Sequence, residues 1–182
     1  SMEEFRKQVR EIVEAGVDAV YVWGVRSDQL VAQGRADLIA KAVATAKDFG
    51  VPCGVGAHDL RVITACEKNS TNADFYIKTF HHHNYPTGPK PEEIKDPYAE
   101  FPGYWCSHPN EVIEVMKNVG KPWIAFKVMA AGAIPPESAF QFAFDSGADH
   151  VLAGMFDFEI AEDVRITQAV LEKVNRKRDW IS

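Results

Sequence analysis

The chain has 182 residues, 46% of them hydrophobic and 25% charged, which is the composition of a soluble globular domain with room for one sizeable core. A formal net charge of −6 argues against a nucleic-acid groove or an anionic membrane surface, because both demand clustered Lys and Arg. No apolar run approaches the roughly 18 residues of a membrane span, and no signal peptide is visible.

The elements follow one rhythm. A helix predicted over 3–15 stops at Gly16, and the apolar run "VDAVYVWG" predicts a strand over 17–24. The next segment, "GVRSDQLVAQG", offers Arg26, Ser27 and Asp28 as substrate contacts, or Ser27-Asp28 as the cap of a short helix. A helix over 36–49 stops at Gly50, and a strand over 51–57 ends in His58 and Asp59. A helix over 60–69 then leads through Asn72 into "ADFYIKTF", a strand over 73–80 that runs into His81, His82 and His83. Two further helix–strand pairs follow: a helix over 109–119 with a strand over 122–129, and a helix over 136–146 with a strand over 149–155. The helices of these pairs stop at Gly120 and Gly147, and a last helix is predicted over 160–176. The three cysteines, Cys53, Cys66 and Cys106, are odd in number and lack CxxC or zinc spacing, so they read as free thiols in a reducing, cytoplasmic compartment. Ser1-Met2 looks like a cloning scar, so an upstream native segment with an export signal stays open.

Strands separated by helices predict right-handed crossovers and a parallel sheet, hence a single α/β domain over 1–182. Five strands suit either a flavodoxin-like open sheet or five consecutive units of a (β/α)8 TIM barrel. The alternation favours the barrel. Ile124, Phe126 and Val128 form a greasy face expected to point outward, against Ala125 and Lys127; Cys53, Val55 and Ala57 oppose Gly54, Gly56 and His58; and Phe75, Ile77 and Thr79 oppose Tyr76, Lys78 and Phe80. A complete barrel takes about 250 residues, so the expectation is a partial TIM barrel, the C-terminal five units of eight. It would be an excised piece, a proteolytic remnant, or a subunit completed by a partner.

On this reading Lys78 and Lys127 lie on neighbouring strands of the inner face. Two cations in a dry barrel mouth depress one another's pKa, and a neutral lysine can form a Schiff base with a carbonyl. The plain alternative is that each lysine pairs with a carboxylate or points between helices. His58 or His81 would move protons, and Arg26, Asp59, His83, Tyr85 and Asp157 are the candidate substrate contacts. The reaction would then need no cofactor. A second chemistry gathers His58, His81 and His83 around a divalent metal ion, as sugar-isomerase-type barrels do with Glu, Asp and His.

The segment "ADFYIKTF" followed by "WIAFKVMAAGAIPPESAFQFAFDSGADHVLAGMF" resembles the last three strands of class I aldolases of the deoxyribose-phosphate aldolase type. The resemblance covers about half of the chain and rests on Lys78-Thr79, Lys127, Ala131-Gly132-Ala133-Ile134 and Gly147-Ala148-Asp149. It implies that Lys78 is the Schiff-base lysine and Lys127 the second lysine. Two departures argue against a phosphorylated substrate. Phe80 and three histidines replace the small polar turn after Thr79, and Asp157 and Glu159 place negative charge where a helix start would meet the phosphate.

From His81 to Asn110 the chain carries six of its ten prolines, with Tyr85, Tyr98, Phe101, Tyr104 and Trp105. This 81–110 loop reads as a lid over the barrel mouth, or else as a spacer. The expected function is therefore a lyase or aldolase acting on a small polar carbonyl or sugar-like molecule. The other readings are a metal-dependent isomerase or lyase, and a non-catalytic barrel piece that serves as an assembly subunit. A five-stranded arc leaves an open edge at each end, which predicts a homodimer through those edges.

Overall fold

A computed structural model describes residues 2–94 and 105–182 of the chain. Five strands form one parallel sheet in sequential order: β1 (Val20–Val22), β2 (Cys53–Ala57), β3 (Tyr76–Thr79), β4 (Trp123–Phe126) and β5 (His150–Leu152). Helix α1 (Met2–Glu14) precedes β1; α2 (Gly24–Ala32) and α3 (Ala36–Lys47) join β1 to β2. The other crossovers are α4 (Leu60–Lys68), α5 (Pro109–Met116) and α6 (Pro136–Asp145), and α7 (Ile160–Leu171) follows β5. The sequential order is that of a partial TIM barrel, and the reordered central strand of a flavodoxin-like sheet is absent.

The register fixes which residues share a face. Val55, Tyr76 and Trp123 are level with one another, as are Ala57, Lys78 and Ala125, and all six are buried against the helices. Gly54, Ile77, Ile124, Phe126 and Leu152 belong to the opposite, concave face. The assignment of faces made from the sequence therefore holds for β2 and is inverted for β3 and β4. Alternation gives a period but no sign. The helix side tolerates Tyr76 because its hydroxyl donates to Glu67 at 2.6 Å, and Lys78 because its ammonium donates to the Thr79 carbonyl at 2.9 Å.

The glycines of β2 have a steric purpose. A Cβ on Gly56 would lie 2.9 Å from the Gly24 backbone nitrogen, so position 56 must be glycine for α2 to start against the top of β2, and a Cβ on Gly24 would press at 3.3 Å on the Ala57 nitrogen and the His58 ring. That close approach carries Asp28, on the first turns of α2, to the end of β2.

Cys53, Cys66 and Cys106 are buried thiols in no disulfide, and burial pushes the Cys53 and Cys66 thiols up to about 11. No described helix is long and apolar enough to cross a membrane. Tyr21, Trp23 and Leu152 are exposed on or beside the concave face, at the two outer strands, and these are the surfaces on which the expected pairing with another chain would rest.

Candidate active site

The C-terminal ends of the strands bring together Asp28, His58 and Lys127. His58 follows β2 directly, and its ring Nδ1 lies 2.7 Å from Asp28 Oδ2. The other carboxylate oxygen accepts the backbone N–H groups of His58 and Asp59, each at 3.0 Å. Asp28 and His58 are both buried. A carboxylate held by two backbone donors has little freedom to rotate, so it fixes the imidazole with its proton on Nδ1 and leaves Nε2 as the proton-accepting atom.

Lys127 is the first residue past β4 and takes a left-handed backbone, φ 57°. Ala130, Ala131 and Gly132 also have positive φ, so the loop after β4 concentrates conformations that L-residues avoid. The left-handed turn breaks the alternation of β4 and sends Lys127 toward the concave side. It lines a cleft of about 270 Å³ with Tyr21, Trp23, His58, Ile77 and Phe126. Its pKa is lowered by desolvation, opposed by the negative charge of Asp28. Lys127 also borders a larger cavity of about 850 Å³ between the β4 and β5 loops.

Lys78 is not in this cleft. It is fully buried on the helix side of β3, so Lys78 and Lys127 do not share the inner face as expected. The histidines after β3 are structural pins. His83 Nε2 donates to the Cys106 carbonyl at 2.6 Å, His81 Nε2 accepts the Cys106 N–H at 3.3 Å, and His82 Nε2 meets Ser138 Oγ at 2.9 Å. Together they fasten both ends of the long loop, while Tyr85 packs edge-on to His81. Among the described residues no three His, Cys, Asp or Glu side chains are gathered as a metal site, so His58, His81 and His83 do not assemble as one. Asp59 caps α4 and grips Arg61 through both carboxylate oxygens. Arg26 is exposed and reaches Gln29, and Asp157 is exposed and accepts from the Phe158 N–H. Trp105 of the expected lid borders the larger cavity; Tyr98, Phe101 and Tyr104 lie outside the described residues.

Burial, then the charges of His83 and Lys78, push His81 from its ordinary 6.5 down to about 4. The folded state resists protonating it, so its contribution is complete above pH 6.5 and is lost as the pH falls toward 4. The expected loss is on the order of 3 kcal/mol. Urea denaturation of the wild type and of His81→Gln across that window checks this: the variant's stability should fall less steeply, and identical slopes would contradict the assignment.

No family model matches the sequence, and no curated protein matches it. Solved structures do. The crystal structure of a dihydrodipicolinate synthase superposes with a TM-score of 0.59 at 14% identity, over 94% of this chain and 56% of that one. A protein described as an aldo-keto reductase from Pseudomonas aeruginosa gives a TM-score of 0.59 at 18% identity, over 94% of this chain and 60% of that one. The chain thus spans less than two thirds of the length of either. Both neighbours are TIM-barrel enzymes, and the shared order of strands and helices makes this chain a partial TIM barrel.

Proposed function

We propose that the chain is a lyase- or aldolase-type enzyme for a small, unphosphorylated polar carbonyl compound, with Lys127 as the amine nucleophile. The observation that carries this reading is the placement of Lys127, desolvated and turned by its left-handed backbone, in one cleft with the His58–Asp28 pair. The resemblance to class I aldolases of the deoxyribose-phosphate aldolase type supports the chemistry. Its Schiff-base role moves here from Lys78 to Lys127, because Lys78 lines neither cavity beside the site.

In this mechanism the neutral Lys127 amine adds to the carbonyl carbon, and the carbonyl oxygen leaves as water after taking up two protons. The resulting iminium acidifies the neighbouring C–H. His58 Nε2 takes that proton, and the electron pair becomes the enamine double bond. The enamine carbon then attacks a second carbonyl carbon, the new alkoxide is protonated, and water releases Lys127. Run backward, the same steps cleave the carbon–carbon bond.

Proton exchange tests this without knowledge of the substrate. In heavy water the protein should wash out the hydrogens next to the carbonyl of pyruvate or dihydroxyacetone, as followed by proton NMR. Lys127→Met should abolish the exchange and Lys78→Met should retain it. The opposite pattern contradicts the proposal, and no exchange across such a panel favours the non-catalytic assembly role.

A further inference from the structure

Lys127 lines two cavities of different chemistry, and an aldol reaction has two carbonyl partners. His58 lines only the smaller, of about 270 Å³, so the partner that gives up its C–H proton belongs there. The larger, of about 850 Å³ between the β4 and β5 loops, is left for the partner that the enamine attacks. Its walls are mainly apolar, with Phe126, Val128, Ile134, Met155 and Phe156 among them. A hydroxylated chain buried there would lose water from its hydroxyls, whereas an aryl or branched alkyl group gains from the same contact. The carboxylates of Glu159 and Asp163 stand on the α7 side and repel an anionic partner.

Gly154 supplies an independent sign. It lines the cavity, its backbone is not left-handed, and a Cβ there would meet nothing within 4 Å among the described residues. Neither conformation nor packing demands a glycine, although glycine loses the most freedom on folding. Its missing side chain leaves the cavity open.

We infer that the larger cavity is the acceptor site for an uncharged aldehyde carrying an aryl or branched alkyl group. The inference rests on Lys127 as the nucleophile, with the small polar carbonyl compound as donor in the smaller cleft. The enamine carbon bonds to the aldehyde carbon, and the aldehyde's carbonyl electron pair moves to its oxygen. That oxygen takes up the proton that His58 removed, and water then frees Lys127 from the iminium.

Ligand-observed NMR titration with benzyl alcohol, benzoate and 1,2-propanediol probes the cavity without an imine. Benzyl alcohol should bind on the order of tenfold more tightly than either other probe. Gly154→Leu fills the cavity and should weaken benzyl alcohol about fivefold. If that variant does not fold by circular dichroism, Phe156→Ala takes its place, since Phe156 is exposed, and should weaken binding about threefold. In condensation with pyruvate, benzaldehyde should be consumed about tenfold faster than glycolaldehyde. Equal affinities for the three probes, benzyl alcohol binding untouched by the variant that folds, or faster consumption of glycolaldehyde would overturn the assignment. Selective binding of benzyl alcohol without any proton exchange by the wild type would instead remove the Lys127 chemistry and keep the apolar site, so the two readings fail separately.

Discussion

Replacing Arg178 by Met is expected to destabilise the fold by about 3–5 kcal/mol. The C-terminal tail is tied to the sheet through Asp149, just before β5. Asp149 accepts the Trp123 N–H at 2.9 Å, the Ile181 N–H at 3.0 Å, Arg176 Nη2 at 3.0 Å and Arg178 Nη1 at 2.5 Å. Arg178 also donates to the carbonyls of Gly147, Val119 and Lys121 at 3.0, 2.9 and 2.8 Å. Its guanidinium fork reaches three carbonyls on two backbone segments at once, and Arg176 stacks on Trp180 at 3.5 Å. Removing Arg178 strips the Val119 and Lys121 carbonyls of this donor, leaves Gly147 only its bond from Arg176, and takes one of two cations from a buried carboxylate. Lys in its place should not restore stability, because a single ammonium cannot span the same acceptors. Urea denaturation checks both variants, and a loss below about 1 kcal/mol for Arg178→Met would mean that the tail is not part of the cooperative unit.

The second large effect is on chemistry. Asp28→Asn keeps the shape of the side chain and an oxygen for the two backbone donors, but it takes away the charge that holds the His58 ring. The exchange rate should fall by about 10²–10⁴, and His58→Gln should fall similarly. The double variant should lose little more than either single one, since the two act as one unit. Asp28→Asn should also shift Lys127 further down. The Asp28 charge raises the Lys127 pKa against the lowering by desolvation, so its removal moves the onset of amine reactivity to lower pH. A slower rate with an unmoved onset would place Asp28 out of electrostatic reach of Lys127.

Much of this architecture was legible in the residues. Glycines that end helices beside Val- and Ile-rich runs marked four of the five strands, Asn72 led into the other, and His58 was picked out because it ends such a run. The side of the sheet was not legible for β3 and β4. Tyr76 and Lys78 looked like inward polar residues, and only the Glu67 carboxylate and the Thr79 carbonyl make the helix side acceptable to them. Lys127 was expected on the inner face by alternation, but it arrives there by a left-handed turn that alternation does not encode. Asp28 stood out only weakly, because one Asp in a short polar segment looks like a helix cap; its partner lies 30 residues away in sequence. The three histidines drew attention as metal ligands, whereas two of them serve the backbone of Cys106. Such pairings depend on where a long loop returns, which no local pattern records.

Reductive trapping tests the central claim most directly. The protein is incubated with pyruvate or glyceraldehyde and a borohydride, digested, and mapped by mass spectrometry. The account predicts one dominant adduct on Lys127, absent from Lys127→Met and undiminished in Lys78→Met. An adduct on Lys78, or no adduct at Lys127 while exposed lysines react, would contradict it.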